Sequence, residues 1–169
     1  WVSQDRANIE CYSKLSIDAE GFIKKHLKDP SSIPACVVLP GSTEDVQGVM
    51  RIANRYKIPF VPFTNGQAMS APTTDVPTIC VHLSRMNRVI AVDTENMAAT
   101  LEPYADYGQL LAEAARVGLW NGGTPLATTL AKLSSQSAFA GIWQTGLKYG
   151  LLGRNVVSYT VVLPTGEIF

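Results

Sequence analysis

The sequence predicts an α+β fold, in which a small βαβ lobe precedes a mixed and antiparallel sheet with packed helices. Two observations support this prediction. Between residues 33 and 63, two short apolar runs flank a segment in which apolar residues recur at helical spacing. From residue 78 onward, short β-branched runs alternate with polar connectors before further helical segments follow. Elements in this order form layers around a shared core.

The first lobe should contain a strand, a helix and a second strand. Residues 35–39 form an apolar run that ends at Pro40-Gly41, which predicts a buried strand and a turn. Ser42 followed by acidic residues is typical of a helix N-terminus, and this helix should end near Tyr56. Residues 58–63 should be extended, because proline pushes the residue before it into the β region. The apolar face of the helix is formed by Val46, Val49, Met50 and Ala53.

In the second lobe, the pattern predicts a meander followed by helices. A helix should begin near Tyr107 and stop at Gly118, since glycine is favoured just after a helix. Residues 127–142 are ambiguous and are read as either helix or irregular chain. Residues 156–163 are β-branched and apolar, and Pro164–Glu167 should turn the chain into another strand. The meander strands are residues 78–83, 89–92 and 98–102, joined by connectors that are short and polar enough for hairpin turns.

These elements divide the chain into a lead-in and one domain of two lobes. Residues 1–32 lack strong periodicity and predict a short helical lead-in. Residues 33–74 hold the βαβ lobe, and residues 75–169 hold the second lobe. We find no internal repeat and no low-complexity segment.

Composition excludes several classes of protein. The chain has 169 residues, with 14 basic and 14 acidic side chains, so it lacks the broad positive field that binds nucleic acid. No apolar run approaches the roughly 18 residues needed to span a bilayer, and no secretory signal is recognised at the N-terminus. The three cysteines lie at least 25 residues apart, which predicts idle thiols rather than zinc ligands or disulfides. A reducing compartment such as the cytoplasm is therefore expected.

The last third of the chain is poor in charge. Residues 117–169 contain only four charged side chains, which are Lys132, Lys148, Arg154 and Glu167. A segment of this composition is hard to solvate on every side, so we expect it to be covered by core, by a large ligand or by another polypeptide. A polar surface rich in glycine and threonine is the alternative.

Common catalytic signatures are absent from the sequence. There is no G-x-S-x-G motif, and His82 alternates with apolar residues as a hydrogen-bonded or half-exposed strand histidine does, so hydrolase chemistry is poorly supported. Neither a Walker loop nor a G-x-G-x-x-G motif follows the first strand. The small residues of the loop 64–70 follow the second strand instead, and their backbone N–H groups could converge on an anion without any lysine.

Five ordered blocks, from about residue 30 to the end, resemble one family of flavoproteins. The blocks are Pro40–Val46 with Ile58–Pro62, Leu83–Val89, Leu101–Pro103 with Tyr107–Leu110, Tyr149-Gly150 with Asn155-Val156, and Val161–Glu167. Together they are similar to the N-terminal FAD-binding domain of FAD-linked oxidases of the vanillyl-alcohol oxidase and p-cresol methylhydroxylase type. The resemblance implies a two-lobed FAD-binding domain of the p-cresol methylhydroxylase type, whose second lobe would still lack a strand or two and the substrate cap at Phe169.

The resemblance also implies which residues contact FAD. The loop after the second strand would hold the pyrophosphate through the backbone of Thr64, Asn65, Gly66, Gln67 and Ala68, with Ser70 nearby. A second flavin-contacting segment maps to Gly123, Thr124, Pro125, Thr129 and Leu130. A third maps to Tyr149, Gly150, Asn155 and the backbone of Val162. No catalytic residue and no metal ligand is assigned.

Three departures from the family pattern bear on flavin binding. The family's run of three glycines is Thr64-Asn65-Gly66 here, and threonine adopts left-handed backbone geometry poorly. Gln67 stands where a histidine attaches flavin covalently in some members, so FAD would be bound non-covalently at this loop. The later T-I-G-G is Thr129–Lys132 here, and Lys132 would either stabilise the anionic reduced flavin from near N1 or face solvent.

Three hypotheses on function remain open. In the first, the chain is the FAD-binding part of a flavin-dependent oxidoreductase that oxidises a small alcohol, hydroxy acid or phenol by hydride transfer to flavin. Its substrate lobe would then lie on missing sequence or on a partner chain. In the second, the chain keeps the fold without FAD as a structural or assembly subunit. In the third, the loop 64–70 binds another phosphorylated ligand.

Overall fold

The computed structural model describes residues 1–12, 33–63, 76–122, 130–138 and 145–169. The chain forms two compact units. The first unit comprises Trp1–Arg85 together with Thr160–Phe169, and the second unit comprises Met86–Tyr159. This division differs from the boundary expected after residue 74, because a strand near residue 80 and the last ten residues join the first unit.

The first unit is built on a four-stranded sheet. The strands are β1 (Val2–Ser3), β2 (Cys36–Val38), β3 (Phe60–Phe63) and β4 (Ile79–His82), in the spatial order β1-β2-β4-β3. β4 is parallel to both β2 and β3, with Cys80 opposite Val37 on one side and Val61 on the other. β1 lies antiparallel to β2 at the edge.

The position of β4 corrects the predicted three-stranded meander. Ile79, Cys80 and Val81 are buried, so the strand is covered on both faces as central parallel strands are. A meander strand with one solvent-exposed face would instead alternate apolar and polar residues. The connector 84–88 is therefore not the hairpin turn expected from its length and polarity.

A helix packs against this sheet as the sequence predicts. Helix α2 (Thr43–Tyr56) follows the short helix α1 (Arg6–Glu10), and the Ser42 hydroxyl caps it by accepting a hydrogen bond of 3.2 Å from the N–H of Asp45. Met50 and Ala53 are buried against Ile79 and Val81 of β4. Lys57, with φ 56°, ends the helix in the left-handed region.

The last residues of the chain form a short hairpin in the first unit. Val161 and Phe169 exchange backbone hydrogen bonds of 2.9 and 2.8 Å, and Leu163 N–H donates to Glu167 over 2.8 Å. The turn predicted at Pro164–Glu167 is thus confirmed. The strand predicted from residue 156 is shorter, because residues 156–160 have no strand partner in the described part of the chain and Val157 is 90% exposed.

The second unit combines a hairpin with helices. Strands β5 (Val89–Asp93) and β6 (Ala98–Leu101) pair antiparallel around a turn in which Asp93 accepts hydrogen bonds from Glu95 and Asn96 N–H. Helix α3 (Tyr107–Arg116) follows, and Gly118 has φ 75° just beyond its end, as predicted. The remaining elements are α4 (Leu133–Ala138), α5 (Gly146–Tyr149) and a 3₁₀ turn (Leu152–Asn155).

A small apolar core holds the second unit together. Tyr107, Ala131 and Leu152 are buried in one cluster with Ala105 and Leu133. Backbone bonds run from Tyr107 N–H to Ala131 over 3.3 Å and from Leu133 N–H to Ala105 over 3.0 Å. The chain before α3 therefore lies antiparallel to the chain before α4. The ambiguous segment 127–142 is helical at least over Leu133–Ala138.

Other expectations concern the N-terminus and the thiols. The helical lead-in is only partly seen, because residues 1–12 contain β1 as well as α1, and residues 13–32 lie outside the described residues. Cys11, Cys36 and Cys80 are all free thiols, of which Cys80 is buried and Cys11 is exposed. In the portions of the chain that the structure describes, no helix is long and apolar enough to cross a bilayer.

Candidate functional site

The carboxyl edge of the parallel strands is the first part of the candidate site. β2, β3 and β4 run in the same direction and end at Val38, Phe63 and His82, so their carboxyl ends share one edge of the sheet. Ligands of open parallel sheets bind outside this edge. Thr64, the first residue of the predicted pyrophosphate loop, directly follows Phe63, although the loop itself lies outside the described residues.

Three aromatic side chains meet at this edge. The rings of Tyr12, Phe63 and His82 have centroids 5.1–5.2 Å apart, each pair in an edge-to-face arrangement. The Tyr12 hydroxyl lies 2.7 Å from His82 Nδ1. His82 is thus a hydrogen-bonded strand histidine, as the sequence predicts. The cluster fixes the last side chain of β3 immediately before the loop.

The backbone of Val162 is the part of the predicted site that the structure describes in the first unit. Val162 is opposite Ile168 in the hairpin, between the hydrogen-bonded positions at Val161 and Leu163. In such a pair the N–H and C=O point away from the partner strand. Within the described residues, the Val162 N–H makes no hydrogen bond, so it is available to a ligand.

Tyr149, Gly150 and Asn155 come together in the second unit. Asn155 Nδ2 donates to the carbonyls of Tyr149 and Leu151 over 3.1 and 3.0 Å, which closes the turn after α5. Gly150 has φ 80°, a backbone conformation that other residues rarely adopt. Asn155 therefore shapes the segment through its nitrogen, and only its side-chain oxygen remains for a ligand.

The exposed ring of Tyr149 is flanked by a second aromatic ring and a cation. Its centroid lies 6.4 Å from that of Trp120, and Lys148 Nζ lies 5.0 Å above the ring. Tyr149 is 44% exposed although it is a large aromatic residue. An exposed aromatic surface of this kind suits stacking against a planar ligand.

The segment before α4 gives Lys132 a partner. Lys132 Nζ lies 3.2 Å from Asp106 Oδ2 and 4.5 Å from the centre of the Tyr104 ring, and both charged side chains are only 12% exposed. The expectation that Lys132 faces solvent is therefore wrong. Ala131 is buried in the core, whereas Leu130 is 65% exposed. A role of Lys132 beside flavin N1 stays a prediction.

The remaining predicted contacts fall outside the described residues. They are Thr64, Asn65, Gly66, Gln67, Ala68, Ser70, Gly123, Thr124, Pro125 and Thr129.

The sequence did not reveal how two of the five blocks that carry the family resemblance contact each other. Glu102 is buried, and its carboxylate accepts hydrogen bonds from the backbone N–H, Nε and Nη2 of Arg88 at 2.7, 3.0 and 2.6 Å. These bonds, the side-chain bonds foremost, lower the pKa of Glu102. In the sequence, the position of Glu102 directly after an apolar strand was the signal that could have indicated a buried carboxylate with a partner. The pair joins the Leu83–Val89 block to the Leu101–Pro103 block.

Comparison with known proteins decides the family. A family model described as an FAD binding domain matches residues 34–169. The chain belongs to this family. The match spans both units of the FAD-binding domain, and it includes the carboxyl edge, the Val162 hairpin and the Tyr149–Asn155 turn.

Curated relatives are longer than this FAD-binding domain. An uncharacterised FAD-linked oxidoreductase, YgcU of Escherichia coli (strain K12), is 34% identical over 138 residues, which cover 80% of this chain and 28% of the relative. The mitochondrial D-lactate dehydrogenase (cytochrome) of Arabidopsis thaliana is 30% identical over 138 residues, which cover 81% of this chain and 24% of the relative. The chain thus spans about a quarter of the length of these proteins.

Solved structures confirm the fold. The 4-ethylphenol oxidase of Gulosibacter chungangensis matches with a TM-score of 0.81 at 26% identity, over 100% of this chain and 31% of that one. p-Cresol methylhydroxylase matches with a TM-score of 0.72 at 20% identity, over 99% of this chain and 32% of that one. The predicted α+β fold of the p-cresol methylhydroxylase type is confirmed, and the chain is an FAD-binding domain.

The described residues fit FAD as the cofactor. The Val162 amide offers an unused donor, and Tyr149 offers an exposed ring beside a glycine at positive φ. The carboxyl edge of the parallel sheet leads directly into the predicted diphosphate loop. Taken separately, the groups of the first unit suit the polar part of a flavin dinucleotide, and those of the second unit suit its planar part.

Proposed function

We propose that this chain is the FAD-binding part of an enzyme that oxidises a small alcohol, hydroxy acid or phenol by hydride transfer to flavin. The observation that carries the proposal is the family match over residues 34–169, since it covers every segment assigned to FAD. The names of two relatives support the substrate class, because one is a dehydrogenase of a hydroxy acid and another an oxidase of a phenol.

In this proposal the chain binds and orients the cofactor. FAD, when bound, supplies the hydride acceptor. The backbone N–H groups of Thr64–Ala68 hold the diphosphate, as a nest of amides does without a lysine. Gly123, Thr124, Pro125, Thr129 and Leu130 contact the flavin, and so do Tyr149, Gly150, Asn155 and the Val162 backbone.

The residues that bind and deprotonate substrate are proposed to lie outside this chain. Residues 117–169 expose many large apolar side chains, including Trp120, Leu147 and Val157. Apolar surface of this extent is commonly covered by polypeptide or ligand. A cap domain, on further sequence or on a partner subunit, would supply that cover and the substrate pocket. The free thiols suit a reducing compartment, for which we propose the cytoplasm.

A second candidate function is that of a structural or assembly subunit that has lost FAD. The observation in its favour is the replacement of the first loop's glycines by Thr64 and Asn65, because a β-carbon limits close approach to a diphosphate. Under this proposal the fold is retained because its surfaces contact other subunits, and it binds no cofactor.

Flavin binding by the purified chain distinguishes the two functions. We expect flavin absorbance in the purified protein, or saturable FAD binding by titration. Gly66→Val should abolish FAD binding and leave the fold intact, since only the approach of the diphosphate is blocked. The matched control is Gly48→Ala, because Gly48 lies inside α2 with open space around it.

Three outcomes separate the hypotheses. A folded, colourless chain that does not bind added FAD supports the hypothesis of a structural subunit. FAD binding that Gly66→Val leaves unchanged contradicts the assignment of the loop. If another phosphorylated compound raises the unfolding temperature and FAD does not, the third hypothesis is supported, in which the loop 64–70 binds a different phosphorylated ligand.

A further inference from the structure

Helix α2 holds the turn of the C-terminal hairpin through Gly166. The Gly166 carbonyl accepts a hydrogen bond of 2.7 Å from Gln47 Nε2 and a longer one of 3.4 Å from Arg51 Nη2. Gln47 and Arg51 lie one helical turn apart on α2, so both face the same side. The turn is thereby tied to residues more than a hundred positions earlier in the chain.

The fit at Gly166 admits no side chain. Its φ is 85°, which other residues rarely adopt. A β-carbon there would lie 2.6 Å from Arg51 Cγ and 3.1 Å from the Gln47 carbonyl oxygen. The turn therefore packs directly against the backbone and side chains of α2. A displacement of the turn would break the hydrogen bond from Gln47 Nε2 to the Gly166 carbonyl.

Val162 is fixed at two points by this arrangement. Its side chain packs on the cluster of Met50, Ala53, Ile79 and Val81. The hairpin bonds from Val161 and Leu163 join its backbone to the turn that Gln47 holds. The Val162 N–H, which makes no hydrogen bond among the described residues, is therefore held by the core on one side and by the turn at Gly166 on the other.

We propose that Gln47 is a positioning residue for FAD, acting through Gly166 to orient the backbone N–H of Val162. The inference rests on the proposed function, in which Val162 contacts the cofactor. Gln47 carries the effect rather than Arg51, because its bond is shorter and its side chain is half-buried, whereas that of Arg51 is exposed.

The test combines FAD affinity with amide hydrogen exchange in the full chain. In the wild type, FAD should slow exchange of the Val162 amide. The Val161 and Leu163 amides serve as internal controls, since hairpin bonds protect both before FAD is added. Gln47→Leu removes the amide donor and leaves an apolar side chain that is one atom shorter. The variant should weaken FAD binding about tenfold, which corresponds to the net free energy of one hydrogen bond. It should also reduce the FAD-dependent protection of the Val162 amide.

A matched variant separates positioning from general destabilisation. Ser42→Ala removes the N-terminal cap of the same helix without touching the turn or the cluster under Val162, so it should lower stability and leave FAD affinity and Val162 protection unchanged. If Gln47→Leu folds poorly, Gln47→Asn shortens the side chain by one methylene and gives the same two measurements. Wild-type FAD affinity and full Val162 protection in these Gln47 variants would overturn the positioning role alone. A wild-type chain that binds no FAD would contradict the proposed function itself.

Discussion

The Tyr12 hydroxyl lies 2.7 Å from Nδ1 of His82, seventy residues away. This contact joins the N-terminal segment to the last residue of β4, and Phe63 at the end of β3 packs against both rings. The carboxyl edge of the sheet is thus organised by side chains from three separate parts of the chain. The predicted diphosphate loop starts at Thr64, so the cluster holds the last described residue before that loop.

We expect Tyr12→Phe to lower the free energy of unfolding by about 1 kcal/mol, the usual net value of one hydrogen bond. The ring contacts with Phe63 and His82 remain in this variant, so only the hydroxyl is tested. Denaturant unfolding followed by circular dichroism measures the change. Tyr159→Phe is the control, because Tyr159 is 55% exposed. Equal losses in the two variants would show that the bond to His82 contributes nothing specific.

The bonds between Arg88 and Glu102 predict a dependence of stability on acid. Hydrogen bonds from Arg88 lower the pKa of Glu102 in the folded chain below its ordinary value of 4.5. A carboxyl with a lowered folded pKa contributes stability above its unfolded pKa and loses it as the pH falls through the folded pKa. The unfolding free energy should therefore decline as the pH falls below about 4.5, and Glu102→Gln should flatten that decline.

Urea unfolding at a series of acidic pH values measures this effect. Glu113→Gln is the control, because Glu113 forms a surface ion pair with Arg116, and such pairs contribute little to stability. A Glu102→Gln profile parallel to that of the wild type would mean that the bonds to Arg88 do not link protonation to folding.

Local patterns in the sequence were sufficient for most elements of the fold. Helix α2 followed from the Ser42 cap and one apolar face, and the end of α3 followed from Gly118. Strand β4 was recognised as a strand but assigned to the wrong sheet. Its continuous apolar run Ile79–Val81 is what a central parallel strand requires, and strand pairing between distant segments is not encoded in periodicity.

Backbone geometry near the candidate site was predictable only where it recurs in a short motif. Gly150 and the turn around Gly166 belong to such motifs, and the structure gives both glycines a positive φ. The pairing of Lys132 with Asp106, and the seating of Gly166 on Gln47, depend on side chains that meet only after folding. No spacing rule in one sequence relates residues so far apart.

The hydroxyl of Tyr107 offers a test of the core of the second unit. It is buried and has no hydrogen-bond partner among the residues that the structure describes, and burial raises its pKa. An unsatisfied buried hydroxyl costs free energy, so Tyr107→Phe should leave the unfolding free energy unchanged or raise it by up to about 1 kcal/mol. Tyr107→Leu should instead lower it by roughly 2 kcal/mol, because the ring fills the core. Thermal and denaturant unfolding compare the variants, and a loss in Tyr107→Phe would reveal a partner for the hydroxyl.

The buried pair of Asp106 and Lys132 should show strong energetic coupling. Asp106 also caps α3 by accepting a hydrogen bond of 2.9 Å from Gln109 N–H, and asparagine can retain this role. Lys132→Met keeps the aliphatic stem over Tyr104 and removes the charge. Each single variant leaves one charge or polar group without its partner in a site that is only 12% exposed, so each should cost about 2 kcal/mol.

The double variant Asp106→Asn with Lys132→Met should cost less than the sum of the two single changes, by about 1–2 kcal/mol. A double-mutant cycle from denaturant unfolding measures this coupling. The midpoint potential of bound FAD can be measured in the same variants. If Lys132 only stabilises the start of α3, its replacement should leave that potential unchanged. A more negative potential in Lys132→Met, with little loss of stability, would instead place the ammonium group beside the flavin, because removing a nearby positive charge disfavours the anionic reduced form.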